Sequence, residues 1–542
     1  MSKKIQSQSF IKGSVILLAA SLLVKLIGAL FKIPLANLIG DEGMAYFTSA
    51  YNIYVMLFVI ATAGLPVALS KMVSESLVLG NVSETKRIFR AAYIVFLSVG
   101  IIGSLILFFG AGPLSRAIIQ PKADLSIMIL APAILFVSVM SVYRGFFQGT
   151  SDMMPTAVSE VIEALGKLVI GYALAYLLIG QGLRMASAGA ITGVTAGALL
   201  AVIFLMAIYA RSKKAIYEAE GGGDLLPRSY KELLKELVKI AFPITISASV
   251  FTITNLIDTL MITTRLESIR DLLIIELSPT ELYGLYGGKA VTMFNMPPTM
   301  VVSLCLPLVP AVAGAFVLKD RLKVKKISTV ALKIALIFAL PCAVGMGVLA
   351  GPIMDLLFPG THEIGAPLLM LLGPAIAFVC MIMVSNSLLQ ATGRVYVPVV
   401  NIAIAAVAKI VLSYVLLGIP QVHILGAPIA TSVCYLIYMV LNLIYVVKIT
   451  KVEIGFGFWL KPIIAAAAMG VVTFFGYDLF ESICAGISQG KMMEIVALGA
   501  AIAVAVVVYL VVLLTVGGIT REEVESMPGG KKIAAKMGKI LR

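Results

Sequence analysis

Long apolar runs recur along the whole chain and constrain its fold more than any other feature. A helix needs about 20 apolar residues to cross the hydrocarbon core of a bilayer, whereas a transmembrane barrel would show alternating strands of about 10 residues. The runs are continuous, so the sequence predicts an all-α polytopic membrane protein with fourteen transmembrane helices. Their expected limits are 11–33, 46–69, 91–112, 125–147, 155–179, 186–210, 239–263, 285–309, 328–350, 365–389, 396–417, 424–447, 460–477 and 493–515.

Composition and motifs exclude most other classes of protein. The chain is 60% hydrophobic and 13% charged, against roughly 45–50% and about 25% in a soluble domain. This balance excludes a soluble globular enzyme, a disordered chain and a disulfide scaffold. The sequence also lacks a Walker A motif, an HExxH motif and a GxSxG motif in a strand–turn–helix context. We therefore expect a protein that is not an enzyme.

The positive charge of the chain predicts its orientation. The 42 Lys and Arg residues outnumber the 28 Asp and Glu residues and give a formal net charge of +14. In a soluble protein this excess would suggest a nucleic-acid partner, but here most of the basic residues fall in alternate loops. Cytoplasmic loops of membrane proteins carry such an excess. We expect both termini in the cytoplasm and no nucleic-acid partner.

Two groups of six spans resemble each other. The segments that begin at Phe146 and Leu388 share a Gln, a Thr, a Pro and a Lys in the same order. A repeat of six spans predicts two six-helix lobes related by a pseudo-two-fold axis along the membrane normal, with the substrate between them. The expected segments are an N-terminal lobe (1–210), a cytoplasmic linker with an interfacial helix (211–238), a C-terminal lobe (239–447), two further spans (448–515) and a basic cytoplasmic tail (516–542).

Three lysines in the predicted spans are candidate substrate ligands. Lys25 and Lys32 are seven residues apart on one helical face, and Lys289 lies in the eighth span. Ionisable groups within a span are costly and usually face the protein interior. Ammonium groups that converge on a cavity would suit a phosphate or pyrophosphate. The alternative is that these side chains snorkel toward the interface.

Other intramembrane polar groups allow ion coupling or internal pairing. Asp258 follows Thr254 and Asn255 by about one helical turn, so their oxygen atoms can share a face and hold a sodium ion or a proton. An internal salt bridge or a helix-packing hydrogen bond is the alternative. Further intramembrane charges are Glu160, Glu163, Lys167 and Lys409. Glu163 and Lys167 have the favourable i, i+4 spacing of an ion pair.

Two arginines lie where a helix meets a loop. Arg144 and Arg394 come near the ends of the fourth and tenth spans. We interpret them as interfacial anchors at matched positions of the repeat. A role in contacting the substrate headgroup is the alternative.

The residues also resemble a known family. The similarity lies in KGSVILLAASLLVKLIGALFKIPLANLIGDEGMAYFTSAYNIY, LPVALSK and QGTSDMMPTAVSE. These segments resemble the polysaccharide-flippase branch of the MOP superfamily, in particular the stage V sporulation protein B/YtgP group, which is related to MurJ-type lipid II flippases. The resemblance implies two lobes in a V shape, a central cavity between spans one, two, seven and eight, and a groove for a lipid tail at spans thirteen and fourteen.

The same resemblance implies candidate site residues. Lys25, in VKLIG, takes the place of an essential arginine of MurJ-type proteins, and Lys32 lies near a second basic position. Asn52 in the second span is included in the candidate substrate-binding set. Asp258, Asn401 and Thr431 could match a sodium site of some relatives. Ala405 stands where a second acid of that site would be expected.

The sequence therefore predicts a lipid-linked oligosaccharide flippase that works by alternating access. The expected substrate is the undecaprenyl-pyrophosphate-linked peptidoglycan precursor, lipid II. We expect a monomer in a bacterial plasma membrane, in contact with membrane lipids, without a cofactor and coupled to sodium or protons. One alternative is a cation-coupled multidrug exporter of the same fold. The other is a non-transporting scaffold of a cell-wall or sporulation machine.

Overall fold

The chain is helical throughout the part that the structure describes. A computed structural model describes residues 2–218, 228–273, 276–360, 363–453, 455–487 and 490–518, and these stretches contain no β-strand. Because a bilayer core offers no water to backbone N–H and C=O groups, helices satisfy these groups within one segment. The all-α prediction is confirmed.

Eighteen α-helices account for most of the described residues. The first nine are α1 Ser2–Thr62, α2 Gly64–Val78, α3 Val82–Ala117, α4 Asp124–Gly149, α5 Met154–Gly166, α6 Tyr172–Leu178, α7 Leu183–Glu218, α8 Tyr230–Glu267 and α9 Pro279–Tyr283. The second nine are α10 Val291–Phe294, α11 Met296–Val317, α12 Arg321–Val348, α13 Ala350–Leu357, α14 Gly365–Ala391, α15 Tyr396–Leu416, α16 Gly426–Thr450, α17 Phe456–Ile487 and α18 Lys491–Thr515. Two π-helical stretches, Lys167–Gly171 and Gly284–Ala290, interrupt the α-helical series.

The helices form two compact units. One unit comprises Met1–Gly288 and Ser413–Ile424, and the other comprises Lys289–Leu412 and Leu425–Arg542. In the first unit α8 packs against α1, α2 and α3, so it associates with helices of the N-terminal half. In the second unit α14 packs against α11, α12 and α16. The predicted lobe limits at 1–210 and 239–447 remain a prediction.

The structure joins two of the predicted spans into one helical segment. Within the described residues, eleven helical segments are long and apolar enough to cross a membrane, so the expected count of fourteen is not confirmed. The predicted first and second spans belong to one segment, Ala19–Leu77, which bends where Gly40 adopts φ 64° and ψ −170°. Hydropathy alone cannot reveal whether two apolar runs belong to one bent helix or to two separate helices, because the residues can be equally apolar in both cases. The predicted seventh span falls on α8. The predicted eighth span falls on the π-helical stretch Gly284–Ala290 and on α10 and α11.

The internal repeat has the same hydrogen bond in each unit. Thr195 Oγ1 on α7 donates to the carbonyl of Ile129 on α4 at 2.8 Å. Ser432 Oγ on α16 donates to the carbonyl of Leu371 on α14 at 3.0 Å. Ile129 and Leu371 lie the same number of residues before the matched Gln148 and Gln390. Thr195 and Ser432 lie the same number of residues after the matched Gly189 and Gly426.

This register corrects one predicted correspondence. Arg144 lies four residues before Gln148, and Asn386 lies four residues before Gln390. Arg144 is therefore the counterpart of Asn386. The prediction that matched Arg144 with Arg394 is wrong, because Arg394 lies four residues after Gln390, beyond the end of α14.

The predicted linker is shorter than expected. Helix α7 continues to Glu218, so residues 211–218 are helical, and residues 219–227 lie outside the described part. Helix α8 starts with a capping box in which the side chains of Ser229 and Glu232 satisfy each other's backbone N–H. The predicted interfacial helix is continuous with the seventh span, since no break occurs within Tyr230–Glu267.

Two long helices follow the repeat. Helices α17 and α18 pack on each other, and α17 also packs against α12. Tyr509 on α18 donates its hydroxyl hydrogen to the carbonyl of Ile337 at 2.8 Å. The predicted tail at 516–542 lies outside the described part from residue 519 onward. The expected lipid-tail groove at 448–515 remains a prediction.

Glycines bring α7 very close to the α5–α6 segment. A Cβ atom at Gly193 would lie 2.4 Å from both N and Cα of Gly171, and one at Gly166 would lie 2.4 Å from Cα of Gly197. Gly193 and Gly197 form a GxxxG pattern, which allows close contact between helices in membranes. This contact holds the helix that carries Glu163 and Lys167 in place.

We predict that Gly193→Ala destabilises the protein. The added methyl group must displace backbone atoms of Gly171, at a cost of about 1–3 kcal/mol, which should lower the thermal unfolding midpoint in detergent. Gly180→Ala is the matched control, since a Cβ there has no atom within 4 Å. An unchanged unfolding midpoint for Gly193→Ala would contradict this packing.

Candidate functional site

A cluster of charged side chains lies in the first unit among α1, α4 and α5. Helix α1 contributes Lys25 and Lys32, whose side chains are exposed and half-buried, respectively. Lys32 is close enough to Lys25 and Lys167 to be repelled by both of them. The structure therefore places the two predicted α1 lysines next to a third lysine from the α5–α6 segment.

Glu163 pairs with two cations from different helices. Its carboxylate lies 3.3 Å from Arg144 Nη2 on α4 and 3.4 Å from Lys167 Nζ one turn further along. The predicted Glu163–Lys167 pair is thus present. All three side chains are largely removed from solvent, with 10% of Glu163 and 12% of Arg144 exposed.

Glu160 is the second carboxylate of the cluster and faces α1. Ser21 Oγ donates a long hydrogen bond of 3.5 Å to Glu160 Oε2. Lys25 and Arg144 attract the Glu160 carboxylate, and Glu163 repels it. Glu160 therefore interacts electrostatically both with Lys25 on α1 and with the Arg144–Glu163 ion pair.

Aromatic rings of α1 complete the cluster. Lys167 Nζ lies 5.7 Å from the centroid of the Tyr51 ring, within cation–π range. Tyr51 stacks on Phe47 with centroids 5.8 Å apart, and Tyr54 is fully buried beside it. The cluster contains four cationic side chains and two carboxylates, so its formal charge is positive. Its members are Lys25, Lys32, Arg144, Lys167, Glu160 and Glu163.

The structure corrects the predicted role of Arg144. We expected an interfacial anchor, but the side chain points inward and donates from Nε to Ser159 Oγ at 2.9 Å as well as pairing with Glu163. The reason is that Arg144 lies on the face of α4 that meets α5, where Ser159 and Glu163 bind it. The sequence did contain a signal, since the predicted span 125–147 already includes Arg144 and the predicted fifth span carries Glu163. Arg394 is exposed in a turn.

Asn52 joins three elements through hydrogen bonds. Its Nδ2 donates to Thr259 Oγ1 on α8 at 3.0 Å and to Tyr283 Oη on α9 at 3.2 Å, and those two hydroxyls lie 2.8 Å apart. Both amide hydrogens are therefore engaged within the protein. The geometry favours a packing role for Asn52, although its predicted role in substrate binding remains a prediction.

Asp258 lies near this network on α8. Tyr286 donates its hydroxyl hydrogen to Asp258 Oδ2 at 3.4 Å, and Asp258 and Thr254 are both buried. The backbone carbonyl of Asn255 accepts a hydrogen bond from Thr259 at 2.9 Å. Asp258, Thr254 and Asn255 thus share one stretch of α8, as their spacing predicted.

The second unit holds the remaining predicted residues. Lys289 is 4% exposed and its Nζ lies 5.8 Å from the centroid of the Phe358 ring. Lys409 on α15 is 1% exposed, and Thr431 on α16 is also buried. A snorkelling lysine would expose its ammonium group at the surface of the protein, whereas both of these lysines are buried inside it. The expected convergence of Lys289 with the α1 lysines remains a prediction.

A network of amides surrounds Asn401 in the second unit. Asn401 Nδ2 donates to Asn442 Oδ1 at 2.9 Å, and Asn442 Nδ2 donates to Asn386 Oδ1 at 2.7 Å. Tyr438 donates to the same Asn386 oxygen at 3.1 Å. Sequence analysis missed Asn386, Asn442 and Tyr438, although the repeat register would have singled out Asn386 as the counterpart of Arg144.

The family of the chain follows from comparison with known proteins. The profile of the family described as "Polysaccharide biosynthesis protein" matches residues 10–316. The chain belongs to this family. It is 24% identical over 530 residues to stage V sporulation protein B of Bacillus subtilis, which covers 96% of this chain and 98% of that protein. It is 26% identical over 452 residues to the lipid II flippase MurJ of B. subtilis, which covers 79% of this chain and 81% of that protein.

Solved structures show the same fold at low sequence identity. The MurJ structure described as inward closed has a TM-score of 0.62, 15% identity, and covers 93% of this chain and 98% of its own. An inward-facing multidrug MATE transporter has a TM-score of 0.67, 14% identity, and covers 81% and 98%, respectively. The fold is that of the MOP superfamily, and the predicted resemblance is confirmed. The protein is a multi-pass membrane protein whose relatives are named as transporters and flippases, not as enzymes.

We predict that Glu163→Gln strongly destabilises the protein. The change leaves Arg144 and Lys167 as buried cations without their shared carboxylate, and breaking a buried pair in this way costs about 3–5 kcal/mol. Glu267→Gln is the control, because Glu267 pairs with Arg270 on the surface, where such pairs contribute about 0–1 kcal/mol. Thermal unfolding of both purified variants tests this, and equal midpoints would contradict the assigned role of Glu163.

Proposed function

We propose that the protein flips an undecaprenyl-pyrophosphate-linked oligosaccharide across a bacterial plasma membrane, with lipid II as the substrate. The observation that supports this most directly is the basic cluster, in which Lys25 and Lys32 on α1 add positive charge beside four side chains whose formal charges cancel, Arg144, Lys167, Glu160 and Glu163. A pyrophosphate carries negative charge that such a site attracts. The named activity of the relative MurJ supports the choice of substrate.

The chemistry of the cluster suits a diphosphate better than a neutral or cationic compound. The two carboxylates, Glu163 and Glu160, together offset two positive charges, formally those of Arg144 and Lys167. The positive charge that remains lies on the α1 side, at Lys25 and Lys32. Lysine ammonium groups act as point charges and do not impose the bidentate geometry of arginine, so they can follow a phosphate group that moves.

Transport would follow an alternating-access cycle. Membrane transporters built from repeats expose a central site to one side and then to the other. An inside-negative membrane potential opposes outward movement of positive charge, and it favours the return of an emptied basic site toward the cytoplasm. Binding of the anionic headgroup lowers the net charge that moves outward. The expected cytoplasmic position of both termini belongs to this proposal.

Asp258 is the proposed coupling residue. Carboxylate, hydroxyl and amide oxygens suit a sodium ion, and Thr254 and Asn255 share its stretch of α8. For Asn401 and Thr431 of the second unit, a role in sodium binding is implied by the family resemblance alone. Asn401 Nδ2 donates to Asn442. A proton on Asp258 would serve the same purpose.

A second candidate function is export of drugs coupled to a cation. The TM-score of 0.67 with a MATE transporter favours it. Such an exporter would carry an acidic or aromatic cavity for cationic drugs. The excess of lysine and arginine in the α1 cluster argues against it.

We predict that Lys25→Ala abolishes complementation of a strain depleted of its lipid II flippase. Loss of this ammonium group removes one of the two excess charges of the cluster. Lys25→Arg should retain function, since charge is kept. Lys235→Ala, at an exposed position on α8, is the control for removal of a basic residue. Growth of the Lys25→Ala strain at the normal rate would refute the role of Lys25.

We also predict that Asp258→Asn slows flipping without preventing folding. Proteoliposomes with lipid II or with another undecaprenyl-linked sugar, with and without a sodium gradient, give the rate of each combination. The rate at which the wild type flips lipid II should differ between vesicles with and without a sodium gradient. The rate of Asp258→Asn should be the same in both. A wild-type rate that is the same for all substrates and in all gradients would contradict both the substrate and the coupling.

A further inference from the structure

A small cavity opens on the surface of the first unit where α3 enters its apolar stretch. Its volume is about 400 Å³, and the lining residues are Phe89, Arg90, Tyr93, Ile94 and Tyr230. Four of these residues occupy neighbouring positions on one face of α3. The fifth, Tyr230, is the first residue of α8 and closes one side of the cavity.

The floor of the cavity is held in place by stacked aromatic rings. Phe89 is 9% exposed and stacks on Tyr209 with ring centroids 4.6 Å apart and an interplanar angle of 12°. Phe146 and Tyr143 contact Phe89 with centroids 5.2 Å and 5.7 Å apart. Since these rings come from α3, α4 and α7, the cavity exists before any ligand binds.

The cavity carries positive charge at one end. Arg90 is exposed and, among the described residues, makes no hydrogen bond or ion pair. The carboxylates nearby are engaged elsewhere, because Arg228 pairs with both Glu84 and Glu236. Arg87 lies above the Tyr230 ring at 5.8 Å, which adds a second cation to this end.

The other end of the cavity leads onto an apolar surface. Ile94 is 59% exposed, and further along α3 the exposed side chains Ile101 and Leu105 follow on the outside of the helix. At 1.5 Å per residue, this apolar strip extends roughly 16 Å from Ile94 to Leu105. A phospholipid has a charged headgroup and apolar acyl chains. The cavity offers a positive charge at one end, and the other end leads onto an apolar surface about as long as an acyl chain.

We propose that this cavity binds an anionic glycerophospholipid of the surrounding membrane. Arg90 contacts the phosphate diester, Tyr93 and Tyr230 contact the glycerol region, and one acyl chain lies along Ile94 and the apolar strip of α3. Tyrosine side chains favour this headgroup level of a bilayer. The site lies apart from the α1 cluster and is separate from the proposed transport activity.

The test places a photoreactive benzoylphenylalanine at position 94 of the full-length protein. The protein is reconstituted in vesicles with equimolar phosphatidylglycerol and phosphatidylcholine, and lipid adducts are counted by intact mass spectrometry. Phosphatidylglycerol adducts should exceed phosphatidylcholine adducts about five-fold, the ratio that corresponds to roughly 1 kcal/mol for one arginine at an anionic surface. Arg90→Gln should lower this preference, although Arg87 still leaves a positive charge at this end.

Two controls and a competition arm make the result decisive. Arg90→Lys should keep the preference because it keeps the charge, and Arg394→Gln should keep it because Arg394 is an exposed arginine outside the cavity. Equal labelling of both lipids in the wild type, or an unchanged preference in Arg90→Gln, overturns the proposal. Displacement of phosphatidylglycerol by equimolar undecaprenyl phosphate also overturns it, since the site would then belong to the substrate lipid.

Discussion

Neutralisation of buried charge by Glu163 is the interaction on which the first unit most depends. A charged side chain within a membrane span is costly unless it is paired or faces a polar cavity. Glu163 brings Arg144 from α4 and Lys167 from its own helix into contact with one carboxylate. Glycine contacts between α7 and the α5–α6 segment hold that carboxylate in position. With Glu160 as the second carboxylate, the formal charges of Arg144 and Lys167 are balanced, and the basic residues on α1 lie beside this network.

The two halves of the repeat share packing but differ in polar chemistry. The Thr195–Ile129 hydrogen bond has its counterpart in Ser432–Leu371. At the position of Arg144, however, the second half has Asn386, which belongs to a neutral network with Asn442. Small hydroxyl groups at the same helix contact preserve the spacing of the helices. The first half therefore carries a charged network at a position where the second half carries a neutral one.

Much of the fold was predictable, while parts of the site were not. Long apolar runs predicted the long apolar helices, because spanning segments must be apolar whatever their partners are, but they did not predict the short helices α9 and α13. The i, i+4 spacing predicted the Glu163–Lys167 pair, since both residues lie on one helix. The inward direction of Arg144 was not predicted, because it depends on which face of α4 meets α5. The Asn52–Thr259–Tyr283 network was missed for a similar reason. Asn52 on α1 and Thr259 on α8 are more than 200 residues apart along the chain.

The sequence by itself determined the class of protein, the positions of the apolar helices, the internal repeat and the residues that carry charge into the membrane. These properties follow from local composition and spacing, which a bilayer constrains directly. Only the tertiary structure decided that α1 continues through a bend at Gly40, that Arg144 pairs with Glu163, and that Asn401 belongs to an amide network. Each of these depends on contacts between segments that are distant along the chain, and hydropathy contains no information on which polar side chains meet.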